Sequence, residues 1–187
     1  NKTDRLRWGV SGRVRSVPID FLNSLHLNPA HLQGVISGEI VAEGDGGAIA
    51  SARLQVTVPD LIFLIDSESP DTYPFHLNDS SVKIDLVDGS LVGNLVTLTE
   101  NGGKAAMEIR VEDVVEFSDS LQNKTIVGHF QLEDFDLSIF EGFTAYGVEP
   151  AGLLNSAFVL SGTLGQPTVK GDAAIKNGGI ELLYQGV

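Results

Sequence analysis

The side chains that could carry out chemistry in this chain are few and widely separated. Its four histidines, His26, His31, His76 and His129, do not have the spacing of metal ligands on one strand face or one helix turn. His129 falls on the polar side of its predicted strand, which favours a solvated histidine over a catalytic one. The sequence has no cysteine, which excludes a disulfide framework, a zinc–thiolate site and a thiol nucleophile.

An acidic group lies at Glu133, Asp134 and Asp136. Paired carboxylates could serve acid–base chemistry or bind calcium, but no EF-hand spacing surrounds them. The segment Asp45-Gly46-Gly47 lacks the tandem nonapeptide repeat of calcium-binding β-rolls. A solvated or edge-protecting strand face is therefore the favoured interpretation. Because neither a nucleophile elbow nor a Walker loop is present either, we expect no enzyme activity, no cofactor and no metal site.

The elements that must position any site are strands, because apolar and polar residues alternate along most of the chain. Met107, Ile109 and Val111, for example, alternate with Glu108 and Arg110. The predicted strands are residues 5–15, 34–43, 47–58, 81–87, 91–99, 104–112, 125–133, 135–140, 157–164, 168–176 and 180–184. Glycine-, asparagine- and aspartate-rich turns between several of them predict sequential hairpins, hence an antiparallel meander.

Two interruptions of the strand pattern predict short helices. Pro18 can begin the first, which ends before Asn28-Pro29, and Pro150 precedes the second with Leu153 and Leu154. Longer loops are predicted at residues 66–74 and 114–123.

The strand after each predicted helix has similar residues, since residues 35–40 (VISGEI) match residues 159–164 (VLSGTL). This similarity predicts an internal repeat of about 120 residues. We expect residues 1–187 to form one all-β segment of a longer repeat protein, with pseudo-repeats at about 16–140 and from 141 onward.

Charge and hydropathy narrow the functional classes. The formal net charge of −13 argues against nucleic acid as a partner, since phosphate binding requires a basic surface. Five of the twelve basic residues nevertheless lie within the first fifteen positions. They indicate a basic outer strand face, or a patch for anionic lipid or a partner. The longest apolar run, residues 61–65, is far shorter than the roughly 20 residues of a membrane span.

The continuous apolar strand faces can be buried in two ways. An ordinary sandwich would enclose them in a dry core. A long curved sheet would instead leave them lining an open trough that accepts an acyl chain. Strand periodicity alone is compatible with both arrangements.

Residues 158–182 (FVLSGTLGQPTVKGDAAIKNGGIEL) resemble the recurring unit of TamB, the translocation and assembly module family, and of the wider AsmA-like proteins. In that unit a strand ends in Leu-Ser-Gly-Thr-Leu, Gln-Pro turns the chain, a Val-x-Gly strand returns, and Asn-Gly opens the next strand. Residues 32–42 look like a second, looser example.

The resemblance implies a periplasmic protein of a Gram-negative bacterium, anchored in the inner membrane, whose elongated β-sheet folds like a taco around a hydrophobic groove. It also implies a role in outer-membrane protein assembly with an Omp85-type barrel partner, and in bridge-like movement of phospholipid between the membranes. We expect the anchor and the segment that would dock on the barrel to lie in other parts of the parent protein.

We therefore expect an all-β, elongated and curved antiparallel sheet with two short helices, carrying phospholipid acyl chains or unfolded outer-membrane β-strands. A structural or adhesive β-domain of a secreted bacterial surface protein is the alternative. The predicted lipid-binding residues are Leu54, Val56, Val58, Met107, Ile109, Val111, Ile126, Phe130, Leu132, Leu160 and Val169.

Overall fold

The chain folds into one sheet of long β-strands. The computed structural model describes residues 6–19, 30–65, 73–114, 121–138 and 148–182. The strands are β1 (Arg7–Pro18), β2 (Ala30–Asp45), β3 (Ala48–Ile65), β4 (Tyr73–Val87), β5 (Ser90–Thr99), β6 (Lys104–Val111), β7 (Ile126–Asp136), β8 (Val148–Thr163) and β9 (Gln166–Leu182).

These strands form a nine-stranded sheet whose spatial order is the same as their order in the sequence. Every neighbouring pair is antiparallel. The predicted all-β meander is confirmed, and the curved sheet does not close into a barrel. Short turns join several strands where positive φ is required, as at Asp88 (φ 50°) and Gly89 (φ 75°) between β4 and β5.

β3 and β4 are each much longer than the sequence pattern predicts. β3 continues through the apolar run to Ile65 instead of ending at residue 58. β4 already begins at Tyr73 instead of residue 81, and it pairs with β3 along this whole added length. The predicted loop at 66–74 is therefore shorter, and residues 66–72 lie outside the described residues. Cross-strand pairing thus extends regular structure into segments whose alternation is weak.

The predicted breaks within β7 and β9 are bulges rather than turns. In β7 the register shifts between Leu132 and Phe135, and Asp134 between them has a φ of 43°. In β9 Asn177, with a φ of 52°, lies inside the strand, opposite the register shift between Ala151 and Leu153 of β8. Each bulge adds a residue without reversing the chain, so the eleven predicted strands become nine.

The helix predicted after Pro150 is wrong. Pro150 and the two leucines that follow belong to β8, where Leu153 pairs with Asp136 of β7 and Lys176 of β9. Gly152 between them has a φ of 121°, which is incompatible with a helix. The other predicted helix falls almost entirely on residues 20–29, outside the described residues. A single turn of 3-10 helix, Leu121–Asn123, precedes β7.

Most of the buried apolar residues form two small clusters at opposite ends of the strands, and Ile19 and Val58 are buried outside them. One contains Leu86, Val111, Val114 and Ile126. The other contains Ala105, Leu132 and Phe135, with Leu154 packed against it. No large side chain among the described residues is completely buried. The sheet therefore does not enclose a sandwich-type core within the described part of the chain.

Candidate functional site: an apolar trough on one face of the sheet

The register of the sheet brings the predicted lipid-binding residues together on one face. Residues directly opposite each other in antiparallel strands project to the same side. One row of such residues runs across seven strands, from β3 to β9. Its members are Leu54, Ile84, Gly93, Ile109, Gly128, Leu160 and Val169.

A second row runs beside the first, two residues away along each strand. It consists of Val56, Val82, Leu95, Met107, Phe130, Phe158 and Gly171. Flanking rows hold the remaining predicted residues: Val111 pairs with Ile126, and Leu132 pairs with Ala105. Val58 lies on the same face of β3, two residues beyond Val56. All eleven predicted residues thus share one face, which we call the apolar trough.

The trough runs across the strands rather than along them. The seven strands from β3 to β9 have six spacings of about 4.8 Å, so each row extends roughly 29 Å. Phospholipid acyl chains are flexible and apolar, and a surface of this length could hold one in contact with several strands at once.

Burial is greatest along the two margins of the trough and lower between them. Val111 and Ile126 on one margin, and Leu132 on the other, are buried. Between the margins, Phe130 remains 36% exposed, and Val169 on β9 is 60% exposed. The middle rows are therefore accessible to a ligand, although their side chains are those of a protein core.

One cavity of the trough lies over β6 to β9. It has a volume of about 230 Å³. It is lined by Met107, Ile109, Gly128, Phe130, Phe158, Leu160 and Val169. His129 also borders it, but the strand register directs the His129 side chain to the outer face. The rings of Phe130 and Phe158 stack with their centroids 6.4 Å apart and their planes 16° from parallel. A cavity of this lining can take up a methylene chain but offers no polar side chain to select a head group.

Hydroxyl side chains interrupt the trough along one margin. Thr97 and Ser156 are buried there, next to Ala105 and Leu132. The Thr97 hydroxyl lies 2.7 Å from that of Ser80 and forms a hydrogen bond with it. The Ser156 hydroxyl is buried without a hydrogen-bond partner. The two middle rows that line the cavity contain no such group within the described residues.

Glycines widen the first row at two positions. Gly93 of β5 and Gly128 of β7 lie on either side of Ile109. A Cβ atom added to Gly93 would approach no atom more closely than the backbone oxygen of Ile109, at 4.0 Å. Gly93 therefore leaves open space in the trough where another residue would place a side chain.

The opposite face of the sheet is polar and cross-linked by charge. Arg53 of β3 and Lys83 of β4 contact Asp85 at 2.6 and 2.8 Å. The hydrogen bond from Arg53, followed by that from Lys83, lowers the pKa of the Asp85 carboxyl. The same contact raises the pKa of Arg53. These pairs stabilise a solvated outer face and leave the trough on the other side free of charge.

The candidate chemical residues of the sequence do not assemble. His129 is exposed on the outer face, paired between Glu108 and Val159. His76 lies 3.9 Å from the carboxylate of Asp60. The position of His26 and the side chain of His31 lie outside the described residues. No three histidine, aspartate or glutamate side chains in the described part of the chain are grouped to hold a metal ion.

The acidic group on β7 lies on an interior strand of the sheet, where its carboxylates accept hydrogen bonds from nearby residues. Asp134 accepts a hydrogen bond from the amide of Asn155, and Lys176 lies 3.4 Å away. The Asn155 bond, followed by Lys176, lowers the pKa of Asp134. Asp136 is bound by the backbone N–H of Ser138, the largest cause of its lowered pKa. Glu133 and Asp134 are exposed, so the predicted solvated face is confirmed, whereas edge protection is wrong because β7 has a strand on each side. Asp134 ties β7 to β8, and Asp136 accepts a hydrogen bond from Asn101.

Sequence reasoning overlooked several members of the two middle rows. Ile84, Leu95 and Phe158 lie within predicted strands and face the trough, but they are absent from the predicted binding set. Their signal is the same alternation: Ile84, for instance, stands between Lys83 and Asp85. Extending the alternation through every strand would have found them.

The fold and this surface define a class of protein: an open, single-sheet β-protein with one continuous apolar face. The family model described as TamB, N-terminal domain, matches residues 10–175, which is most of the chain. The chain therefore belongs to the TamB family. Comparisons with curated proteins and with solved structures give no significant match. In the described residues no helix has the length and apolar character to cross a membrane.

Proposed function

We propose that this chain is a non-enzymatic part of a periplasmic TamB-like protein that carries phospholipid between the inner and outer membranes. The observation that supports the proposal is the pair of apolar rows crossing the sheet, whose side chains are only partly buried at most positions from β3 to β9. A soluble protein rarely leaves such a continuous apolar surface uncovered unless something binds to it.

The chemistry of the trough suits an acyl chain. Each methylene transferred from water to an apolar surface contributes about 0.8 kcal/mol. Aliphatic side chains such as Leu160 and Met107 provide this stabilisation without requiring a particular head group. A trough roughly 29 Å long would let a chain slide between equivalent positions rather than bind at one.

Membership of the TamB family supports the location and the partners of the proposal. We place the protein in the periplasm of a Gram-negative bacterium, anchored in the inner membrane and working with an Omp85-type barrel. Unfolded outer-membrane β-strands are a further possible cargo in this setting, because their lipid-facing side alternates in the same way. The structural or adhesive alternative requires a dry closed core, and the half-exposed trough weighs against it.

Site-specific photo-crosslinking in living cells tests the proposal. A photoreactive amino acid replaces Met107, which lines the cavity, and in a control it replaces Glu108, which is exposed on the outer face. We expect lipid adducts at position 107 and none at position 108. Protein adducts at 107 would identify β-strand cargo instead. Adducts at neither position would contradict the proposal and indicate that this face is sealed in the intact protein.

The Met107→Asp variant is the complementary test. A carboxylate in the cavity would be desolvated by bound lipid, which costs more than the apolar contact provides. We expect lipid adducts at a neighbouring trough position to fall by about tenfold or more, equivalent to at least ~1.4 kcal/mol. Circular dichroism should show that the sheet is retained, because Met107 is only partly buried. Wholesale unfolding would indicate a closed core.

A further inference from the structure

A second cavity lies on the outer face of the sheet, over β1 to β3, and has a volume of about 380 Å³. Its polar lining residues are Arg13, Arg15, Ser37, Glu39, Gln55 and Thr57. These positions alternate with the trough row that runs through Val14, Gly38 and Val56, so their side chains project to the other side of the sheet. Val14 and Gly38 border the cavity as well. A ligand of this outer-face cavity therefore leaves the trough uncovered.

The outer-face cavity carries an excess of positive charge in a protein whose formal net charge is −13. Arg13 forms an ion pair with Glu39 at 3.1 Å, with side-chain exposures of 61% and 45%. Glu39 is the only acidic residue among the described residues that line the cavity. Two arginines and one glutamate give this lining a net charge of +1, so it can neutralise one further negative charge.

The strongest hydrogen-bonding groups of the outer-face cavity are donors. Arg13 uses one terminal nitrogen in its bond to Glu39, and a guanidinium carries five N–H donors. The Ser37 hydroxyl accepts from the backbone N–H of Ser16, at the bulge of β1, which leaves its own proton to donate. The Thr57 hydroxyl already donates to the backbone oxygen of Ser37. The cavity therefore matches an anionic ligand that accepts hydrogen bonds.

From these features we infer that the outer-face cavity binds the carboxylate of a glutamate or aspartate in a partner protein. A planar guanidinium can bind both oxygens of a carboxylate with paired N–H groups. One carboxylate balances the lining charge of +1, whereas a phosphate monoester would bring up to about two negative charges close to Glu39. The Gln55 amide, which both donates and accepts, can bind the adjoining peptide group.

An anionic membrane surface fits the outer-face cavity less well than an acidic side chain does. The whole protein has a net charge of −13 and is repelled by such a surface. One side chain that enters the cavity interacts with it inside the screening length of about 8 Å. Because the cavity and the trough lie on opposite faces, a partner can dock while the trough holds its cargo. The inference therefore does not rest on the proposed lipid-carrying function.

Nuclear magnetic resonance titration of the whole chain tests the inference, because it measures millimolar affinities and detects the arginine Nε–H signals. The probe is the peptide acetyl-Gly-Glu-Gly-amide. It should shift the Nε–H signals of Arg13 and Arg15 and bind at least about tenfold more tightly than acetyl-Gly-Gln-Gly-amide, which lacks the charge. Equal affinity of the two peptides would overturn the inference.

Two smaller anions distinguish the source of the charge. Acetate carries the carboxylate without peptide groups, and dimethyl phosphate carries the singly charged phosphodiester of a lipid head group. Both should bind at least about threefold more weakly than the glutamate peptide, because neither offers a peptide group to Gln55. Acetate binding as tightly as the peptide would indicate a site for small carboxylates, and dimethyl phosphate binding as tightly would indicate head-group recognition. Either result would overturn the assignment to a partner protein.

The Arg13→Gln/Arg15→Gln variant should bind the glutamate peptide at least about tenfold more weakly than the unaltered chain. Arg110→Gln/Lys170→Gln is the matched control, because both residues are exposed, lie on β6 and β9 away from the cavity, and lose the same two charges. Its affinity should stay within about twofold of the unaltered chain. An equal loss in this control would reduce the effect to overall surface charge and overturn the inference.

A further variant, Glu39→Gln, removes the carboxylate that competes for Arg13. We expect it to bind the glutamate peptide about two- to fivefold more tightly, because the peptide carboxylate then takes the place of Glu39 in an exposed ion pair. A variant that merely disturbed the fold would not gain affinity, so the direction of the change separates a binding role from a structural one. Unchanged or weaker binding would show that Arg13 is not part of the site and would overturn the inference.

Discussion

Ile109 of β6 lies directly opposite Gly128 of β7, and a Cβ atom at Gly128 would come within 3.2 Å of Ile109 Cγ1. It would also lie 2.8 Å from the backbone oxygen of Glu108. The glycine therefore lets the two strands keep their spacing while the flank of Ile109 remains uncovered. This absence of a side chain helps to form the apolar cavity, whose floor is shared by Ile109, Gly128 and Leu160.

The open space at Gly93 predicts a variant that blocks the trough without disturbing the sheet. Gly93→Phe would project a ring into the first apolar row, where the added Cβ atom meets nothing closer than 4.0 Å. The ring should exclude about two methylenes of a bound acyl chain, at ~0.8 kcal/mol each. Titration with dihexanoylphosphatidylglycerol should therefore show about tenfold weaker binding.

Asn94→Phe is the control for this variant, because Asn94 is the next residue of β5 and projects to the outer face opposite Lys83 and Glu108. It adds the same ring without entering the trough, so the affinity should stay within about twofold of the unaltered chain. Equal losses in the two variants would show that a general disturbance of β5, rather than obstruction of the trough, weakens binding.

The sequence alone was sufficient to predict which residues share the face of the sheet that carries the candidate site. Because alternation has a period of two residues, choosing the apolar residues of each strand is the same as choosing one face of the sheet. Met107 and Phe130 come from different predicted strands, yet they pair directly across β6 and β7. The tight turns were also predictable, since Asp88-Gly89 can adopt positive φ.

The bulges could not be predicted from alternation, since each one reverses its phase. On β7 the even-numbered Leu132 and the odd-numbered Phe135 are both buried in the same cluster, because Asp134 is inserted between them. When a strand is predicted from strict two-residue alternation, this change of phase is taken for the end of the strand. The helix predicted after Pro150 was wrong because pairing of this segment with β7 and β9 outweighs its local helix signals.

The exposure of each apolar residue also lay beyond the sequence. Val111 and Val169 have the same chemistry and the same strand pattern, yet the first is buried and the second is 60% exposed. The difference arises because Val111 on β6 packs in a cluster with Leu86 and Ile126, whereas Val169 lies on β9, at one side of the sheet. Position within the sheet, which alternation does not encode, sets the exposure.

The ion pair on the outer face predicts a pH-dependent contribution to stability. Arg53 and Lys83 lower the pKa of Asp85 below its value in the unfolded chain, which is about 3.9. A carboxyl group with a lowered folded pKa stabilises the fold above the unfolded pKa, and this contribution is lost as the pH falls through the folded pKa. Asp85→Asn should therefore unfold at lower urea concentration than the unaltered chain at about pH 7.

As the pH falls through the folded pKa of Asp85, the two proteins should unfold at increasingly similar urea concentrations, because the carboxyl group becomes protonated in the folded as well as the unfolded chain. The midpoints of urea unfolding, measured by circular dichroism across this range, test the prediction. A difference that stays constant with pH would mean that the substitution acts through packing or backbone contacts instead of the charge of Asp85.

The only tryptophan of the chain makes a glycine at the β2–β3 hairpin indispensable. The Trp8 indole N–H donates to the backbone oxygen of Gly46 at 3.1 Å, which places the ring against Gly44. A Cβ atom at Gly44 would collide with the Trp8 ring and with the backbone oxygen of Ala48. Gly44→Ala should lower the free energy of unfolding by about 1–3 kcal/mol, as overpacking does elsewhere.

Gly47→Ala, in the same hairpin, is the matched control. A Cβ atom there would meet nothing within 4 Å, and Gly47 is not among the glycines with positive φ. This variant should leave the free energy of unfolding unchanged or raise it by up to about 1 kcal/mol, because alanine restricts the unfolded chain. Trp8 fluorescence during urea unfolding measures both effects, since a displaced indole in Gly44→Ala would also shift the emission of the folded protein. Equal stability and equal emission in the two variants would show that Trp8 does not pack on Gly44.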